Sequence, residues 1–562
     1  MKSLASAILT TVILLGCSSQ SQPVIPNVLT EIRLNQIGYY PTSTKQFILA
    51  DKTASNFDII NESNETIFSG ELKNGGVWEQ SGEKVMIGDF TFLQTPGTYR
   101  IKIGSDISYP FEINNNVYAD ALNASIKSFY FQRASMPIEK QFGEQFARAS
   151  GHSDDQCNFH PSTGKSGVMS SPGGWYDAGD YGKYVVNAAI TVGQMLQLVE
   201  QYPEAIADSQ LNIPESGNGV SDLLDELKYE LNWVLTMQDE DGGVYHKLTA
   251  KNFGGFIMPE AYDLERWIIG KGTAASLTFA AVMAQSSRLY EDKDWASNSL
   301  NAANKAWDWA LANPEEFYKN PDDVRTGEYG DDQLSDEFYW AAAELFIATQ
   351  EQKYLDYLLN NPEPIRHQLT NSWKFFIRNV AFHSLIENRH LLPNELAETL
   401  VAGQINLADN ILKKIDAIPY RIGLDLYEWG SNSDILNQAQ ILCYAHRLTG
   451  DSKYLKAAQQ NTDYIFGKNA TGYSFLTGFG SKQAMFPHHR PSGADGIEDP
   501  VPGFIIGGPN KDQQDRAQVE YKYTDPAKSF EDVEPSYASN EVCLNWNAPA
   551  VYVIGYLEQV SK

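Results

Sequence analysis

The sequence predicts a mainly α-helical domain over residues 116–562, preceded by a small β-sandwich over residues 31–115. Two changes of period carry this. Before residue 115, short runs alternate with period two, as Tyr99, Ile101 and Ile103 do with Arg100 and Lys102, and NES, NGG and TPG turns separate them. After Val117, apolar residues recur at helical spacing, and about twelve helices follow with no strand run long enough for a parallel sheet. Length agrees: 562 residues exceed one ordinary core, so two domains are expected, one of them large.

At the N-terminus, Lys2 precedes an apolar run from Ala7 to Leu15, too short to span a bilayer but suited to a signal-peptide core. It ends in Leu14, Leu15, Gly16 and Cys17, which resembles the lipobox of bacterial lipoproteins. The resemblance implies a signal at residues 1–17, acylation of Cys17 and a Ser/Gln/Pro-rich tether at 18–30. It further implies an exported lipoprotein held to the outer membrane or cell surface by lipid alone. A plain secretory signal cut nearby is the alternative. Cys157, Cys443 and Cys543 remain, too few and too scattered for a disulfide framework or close zinc-ligand spacing. The net charge of -28 argues against a nucleic-acid partner and leaves a neutral polymer open as substrate.

Helical periodicity opens at Leu122, Ile126 and Phe129, and continues through Leu223–Val234 and segments near 273–290, 294–312, 335–349, 371–386, 394–415, 434–449, 452–466 and 541–557. The connection from Gly467 to Asn540 is far longer than ordinary helix links, and loops of that size usually carry function.

The richest stretch is GGWYDAGDYGKYV, Gly173 to Val185. Its glycines let the backbone turn so that Asp177 and Asp180 converge on one point, such as a water. Trp175, Tyr176, Tyr181 and Tyr184 could stack on apolar sugar faces. The bland alternative makes Asp180 the N-cap of the helix that follows. In the long connection, SFLTGFGSKQAMFPHHRPS places His488 and His489 beside Arg490. Adjacent residues of extended chain face opposite ways, so one histidine at most enters a site. Further on, SFEDVEPSYASNEVCLNWNAP carries Asp532 and Glu541. Glu541 could be a first-turn carboxylate of the last helix. Glycosidic hydrolysis, however, needs two separated carboxyl groups, one protonated and one ionised, and the DAGD turn and Glu541 are the obvious pair.

These three motifs resemble glycoside hydrolase family nine, the inverting cellulases, over roughly residues 115–560, and IRLNQIGYYP at Ile32–Pro41 resembles the immunoglobulin-like domain that precedes many bacterial cellulase domains. The resemblance implies a barrel of six α-helical hairpins. It makes Asp180 the general base, Asp177 a holder of the nucleophilic water, Glu541 the general acid, Asp532 its supporting carboxylate and His488 the active-site histidine. Arg490 becomes a substrate contact, in a cleft lined by residues such as Trp175, Tyr181 and Trp429. Inversion implies catalytic carboxyl groups about 6.5 to 9.5 Å apart. No cofactor is needed for the chemistry. Ser135 stands near a cysteine of the zinc site of some members, so zinc is not expected. Thr326, Asp331 and Asp332 resemble a calcium loop of others, the alternative being a solvated acidic turn. Cys543 stands where the family favours Ser, Thr or Ala. The implied function is internal cleavage of β-1,4-glucan. An exo-acting cellodextrinase or glucosaminidase on the same scaffold, or a non-catalytic glycan-binding lipoprotein, are the alternatives.

Overall fold

The computed structural model describes residues 28–363 and 377–561, so Cys17 and most of the tether lie outside the described residues. The β domain runs from Ile32 to Ile113. Its strands fall into two groups joined by the long strand Thr66–Trp78, which pairs with Asn56–Asn61 along one half and Glu83–Asp89 along the other. Between them lie Phe47, Phe57, Ile59, Phe90, Ile101 and Phe111, the inward residues of the period-two runs.

From Ala119 on, twelve helices of nine residues or more are present among the described residues. Six form an inner ring: Val185–Gln201, Thr273–Ser287, Ser335–Thr349, Ile377–Glu387, Ser431–Thr449 and Leu544–Val560. These are buried on nearly every side, which their composition permits. Thr273–Ser287, TAASLTFAAVMAQSS, is apolar or small throughout, with no polar stripe to turn outward. The outer helices are amphipathic. In Lys293–Ala312, buried Ala296, Ser299, Ala303, Ala306, Trp307 and Ala310 recur three or four apart. The result is an (α/α)6 barrel. Polar side chains inside the ring bond to one another: Gln194 Nε2 donates to Asn437 Oδ1 at 3.0 Å and Gln440 Oε1 at 2.9 Å, and Gln440 Nε2 donates to Gln197 Oε1 at 3.0 Å. These bonds offset part of the cost of burying the amides.

The sequence pattern gave no sheet after Val117, yet five short strands build one, in the order Val168–Met169, Cys157–Phe159, Trp267–Lys271, Tyr245–Thr249, Lys183–Tyr184. No strand exceeds five residues, and Tyr245–Thr249 is buried on both faces, so no alternation marks it. This sheet matters because Lys183–Tyr184 directly follows the aspartate turn, with Lys247 in register opposite Tyr184.

The two domains are joined by buried polar contacts. Asn35 Nδ2 donates to Tyr118 Oη at 2.8 Å and to Asp463 Oδ1 at 2.9 Å. Tyr40 Oη donates to Glu558 at 2.6 Å, and Tyr420 Oη to Glu83 at 2.9 Å.

Candidate active site

The Gly173–Tyr184 segment enters the barrel mouth as a turn fixed from outside the site. The carboxylate of Glu226 accepts the Trp175 indole N–H at 2.8 Å, and Glu230 accepts the Trp175 backbone N–H. The Ala134 N–H donates to Gly174 O at 2.8 Å. Asp180 does not cap the next helix. That helix has Tyr184 as its N-cap residue, and Asp180 Oδ2 instead accepts the Gly182 N–H at 3.0 Å within the turn.

Glu541 is not a first-turn residue either, because the last helix begins at Leu544. Glu541, Val542 and Cys543 are extended and bridge to His488, Ile506 and Ala178 respectively. Leu544 N–H donates to Asp177 O at 2.9 Å, Gly507 N–H to Glu541 O at 2.9 Å and His488 N–H to Asn540 O at 2.8 Å. The three motifs, far apart in sequence, therefore meet through backbone pairing. Gly179 permits the closest approach: a Cβ there would stand 1.9 Å from the His488 carbonyl oxygen.

Asp177, Asp180, Tyr184, Phe253, Glu328, Tyr329, Trp429, Glu541, Cys543 and Trp546 are among the residues that line a cavity of ≈ 300 Å³. Asp177 is fully buried, with Oδ1 accepting Asn187 Nδ2 and Oδ2 accepting Tyr329 Oη, each at 2.6 Å. Burial, and then the nearby charge of Asp180, push the Asp177 carboxyl up to about 7. Burial, Asp180 and Asp177 hold the Glu541 carboxyl well above the usual carboxylate range, only partly offset by Arg490. The site therefore favours the protonated form of Glu541.

His488 Nδ1 donates to the Glu534 carbonyl at 2.7 Å, which leaves Nε2 as the acceptor, and its ring meets Phe256 edge-on at 5.0 Å. Burial lowers its pKa to about 4, so the imidazole is neutral. His489 turns the other way into the barrel, against Gln132 and Ser492. Asp532 accepts the Met485 and Phe486 N–H groups at 2.8 and 2.9 Å and Asn540 Nδ2 at 3.2 Å. It thus fixes the chain just before both His488 and Glu541.

Four expectations are corrected, three for single residues and one for a set of three. Trp175 is 1% exposed, its ring against Phe129 and its N–H spent on Glu226, so it presents no face to a sugar. Tyr181 is 2% exposed, bonded to Ile257 O at 2.6 Å and packed on Tyr176 and Tyr262. Arg490 directs its guanidinium at the carbonyls of Gly179 and Gly254, at 2.8 to 3.1 Å, and so is spent on tying down the aspartate turn. The calcium set does not assemble. Thr326 Oγ1 and its carbonyl both accept the Lys247 ammonium, which repels a divalent cation, while Asp331 is buried and Asp332 exposed. Among the described residues no group of three or more acidic, Cys or His side chains is placed to hold a metal. Trp429, 38% exposed and tilted against Tyr537 at 5.4 Å, is the lining indole with an accessible face. Asn187, Phe253 and Tyr329 were not singled out from sequence. Tyr329 lies between Thr326 and Asp331, in the loop whose resemblance to a calcium site had drawn notice, and was the one within reach.

An α/α barrel with several carboxyl groups in an aromatic cleft fits a glycoside hydrolase. Residues 118–554 match glycosyl hydrolase family 9, and residues 28–108 match the cellulase N-terminal ig-like domain. A xyloglucan-specific endo-beta-1,4-glucanase of Bacteroides ovatus is 39% identical over 569 residues, covering 96% of this chain and 95% of its own. Endoglucanase D of Acetivibrio thermocellus is 32% identical over 536 residues, covering 93% of this chain and 83% of its own. Among solved structures, a Bacteroides ovatus GH9 protein superposes with TM-score 0.89 at 37% identity, covering 95% of this chain and all of that one. A thermostable endoglucanase from Alicyclobacillus acidocaldarius gives 0.86 at 31%, covering 95% of this chain and 100% of that one. The chain belongs to glycosyl hydrolase family 9 and is a glycoside hydrolase whose chemistry needs no cofactor.

The buried acid pair sets a pH dependence. Asp177 keeps its proton up to about 7 when folded, against about 3.9 in an unfolded chain. An acid whose folded value is raised stabilises the fold most below its unfolded value, and that contribution is lost as pH climbs through the window to the folded value. Asp177→Asn, which has no proton to lose, should gain stability relative to the native chain between about pH 4 and about pH 7. Urea midpoints across that range are the measurement. A difference that stays constant with pH would contradict a buried, uncharged Asp177.

Proposed function

We propose that this enzyme cuts internally in β-1,4-glucan chains with inversion at the anomeric carbon, with Glu541 as general acid and Asp180 as general base. The observation that carries the reading is that Glu541 lines the same cleft as Asp180 and Asp177, where desolvation and their charges favour its protonated form. A carboxyl group that keeps its proton at neutral pH can donate it to the departing glycosidic oxygen. Asp180 takes one proton from a water whose oxygen attacks the anomeric carbon, and solvent then restores both groups. Asp177 is the poorer base because both of its oxygens already accept short hydrogen bonds, from Asn187 and Tyr329. It holds the water beside Asp180. His488, neutral with Nε2 as acceptor, suits a sugar hydroxyl, and Trp429 supplies a stacking face.

Family membership and the endoglucanase relatives support internal cutting, and the Bacteroides ovatus relative makes xyloglucan one glucan to assay beside an unbranched one. On a soluble β-1,4-glucan, viscosity should fall faster than reducing ends accumulate. Asp180→Asn and Glu541→Gln should each lose most turnover. An aryl glycoside with a very good leaving group, which needs little acid, should restore relative activity to the Glu541 variant only. Substantial polymer cleavage by either variant would overturn the assignment, and release of small sugar at constant viscosity would favour exo action.

The reading also includes export and anchoring through acylated Cys17, supported by the sequence Leu14-Leu15-Gly16-Cys17 after an apolar run. No helix among the described residues is long and apolar enough to cross a membrane. The native chain should partition into detergent and Cys17→Ala into the aqueous phase. A native chain found in the aqueous phase would refute the anchor.

A further inference from the structure

We propose that Lys247 is a positioning residue for the base side of the site: its buried side-chain nitrogen, by the hydrogen bonds it donates, fixes the loop at residues 326–329 and, through Tyr329, the carboxyl of Asp177. The proposal rests on the reading that Asp177 and Asp180 manage the attacking water.

Lys247 sits on the strand Tyr245–Thr249, every residue of which is buried. Its Nζ donates to Asn320 Oδ1 at 2.7 Å, Gly327 O at 2.8 Å, Thr326 Oγ1 at 3.2 Å and Thr326 O at 3.4 Å. All four acceptors are neutral. The ammonium is therefore bound much as a metal ion would be, in a cage of uncharged oxygens, and its charge is not cancelled by contact with a carboxylate. Aromatic rings flank it, with the Tyr184 centroid 5.6 Å away and the Tyr318 centroid 5.7 Å away. Burial lowers the Lys247 pKa to about 7, against the charges of Asp180, first, and Glu328, which favour the protonated form.

Burying an ammonium in this way is costly, and an apolar side chain would fill the same space without that cost. It would, however, take away the donor that holds the Gly327 carbonyl and leave the Thr326 carbonyl to Asn320 Nδ2 alone. That loop needs holding. Tyr329 adopts φ 47, in the left-handed region that a tyrosine does not favour, so its conformation has to be imposed by its surroundings. The strand imposes it with two consecutive side chains. Lys247 takes the Gly327 carbonyl, and neutral His246, stacked on Tyr318 at 3.7 Å, gives a hydrogen bond from Nε2 to the Glu328 carbonyl at 2.8 Å. The Gly327 N–H in turn donates to Tyr184 Oη at 3.1 Å, tying the loop to the segment that carries Asp180. Tyr329 Oη then reaches Asp177 at 2.6 Å. The chain of contact runs from ammonium to loop to phenol to carboxyl, without Lys247 touching the cleft.

Three variants of the full chain test this: Lys247→Met, Tyr329→Phe and the double. Lys247→Met should lower kcat on the order of 10- to 100-fold, the scale of a misplaced catalytic group, with KM changed less than about threefold. The loss should be as large on an aryl glycoside with a very good leaving group as on glucan, because it lies on the base side. The double variant should be no worse than the worse single, since both changes cut one line of contact. Methylammonium added to Lys247→Ala should restore part of kcat by reoccupying the oxygen cage. Multiplying losses in the double variant, a change in KM alone, or activity regained on the good leaving group would each overturn the proposal. Should the Lys247 variants not fold, Asn320→Ala removes one cage acceptor and keeps the lysine. It should give a smaller kcat loss, again not multiplying with Tyr329→Phe, and multiplying losses there would overturn the proposal equally. The Asp180 and Glu541 variants measured in parallel separate this outcome from a failure of the acid–base assignment itself.

Discussion

Three extended residues, Glu541, Val542 and Cys543, hold the site together by pairing with His488, Ile506 and Ala178. Their backbone brings Glu541, His488 and the aspartate turn together at one junction, beside the cavity that Asp177, Asp180 and Glu541 line. The packing is tight enough that position 179 must be glycine, because any Cβ would overlap the His488 carbonyl. Arg490 clamps the same junction by donating to Gly179 O. A site assembled from backbone pairing of distant segments is rigid at its centre, as displacement of one carboxyl group would break the pairing of all three motifs.

Around that junction, electrostatics sort carboxyl groups that would otherwise resemble one another. Asp177, Asp180 and Glu541 share a buried cavity, and like charges in a poorly solvated space cannot all ionise together. Glu541 and Asp177 take up the proton burden, the former well above its ordinary range and the latter to about 7. Positive charge is supplied at second remove: Arg490 facing Glu541 from the loop side, Lys247 from beneath the aspartate turn. Both cations are spent on protein oxygens, so neither contacts the cleft as a free charge.

The sequence announced the chemistry-bearing residues because each sits in a run of glycines, prolines and aromatics that ordinary helices do not tolerate. The β-sandwich and the helices were legible from period alone. Which way a side chain faces was not. Aromatic density around the aspartates suggested that Trp175 and Tyr181 would line the cleft, yet both pack backwards and hold the turn from behind. Arg490 and Thr326 were expected as ligand contacts from the family resemblance, which matches residue types, while burial decides who receives their donors and acceptors. Lys247, Asn187 and the small sheet carried no signal at all. Strands of two to five residues are shorter than the window in which alternation shows, and their partners come from segments far along the chain.

The account stands or falls on Asp180 and Glu541 acting from opposite faces of the sugar with a water between them. Proton NMR of the anomeric signals during the first minutes of oligosaccharide hydrolysis reads this directly. The α-anomer should appear first and drift toward the equilibrium mixture by mutarotation. A β-anomer formed first would mean net retention, and with it a covalent intermediate that the proposed base cannot make.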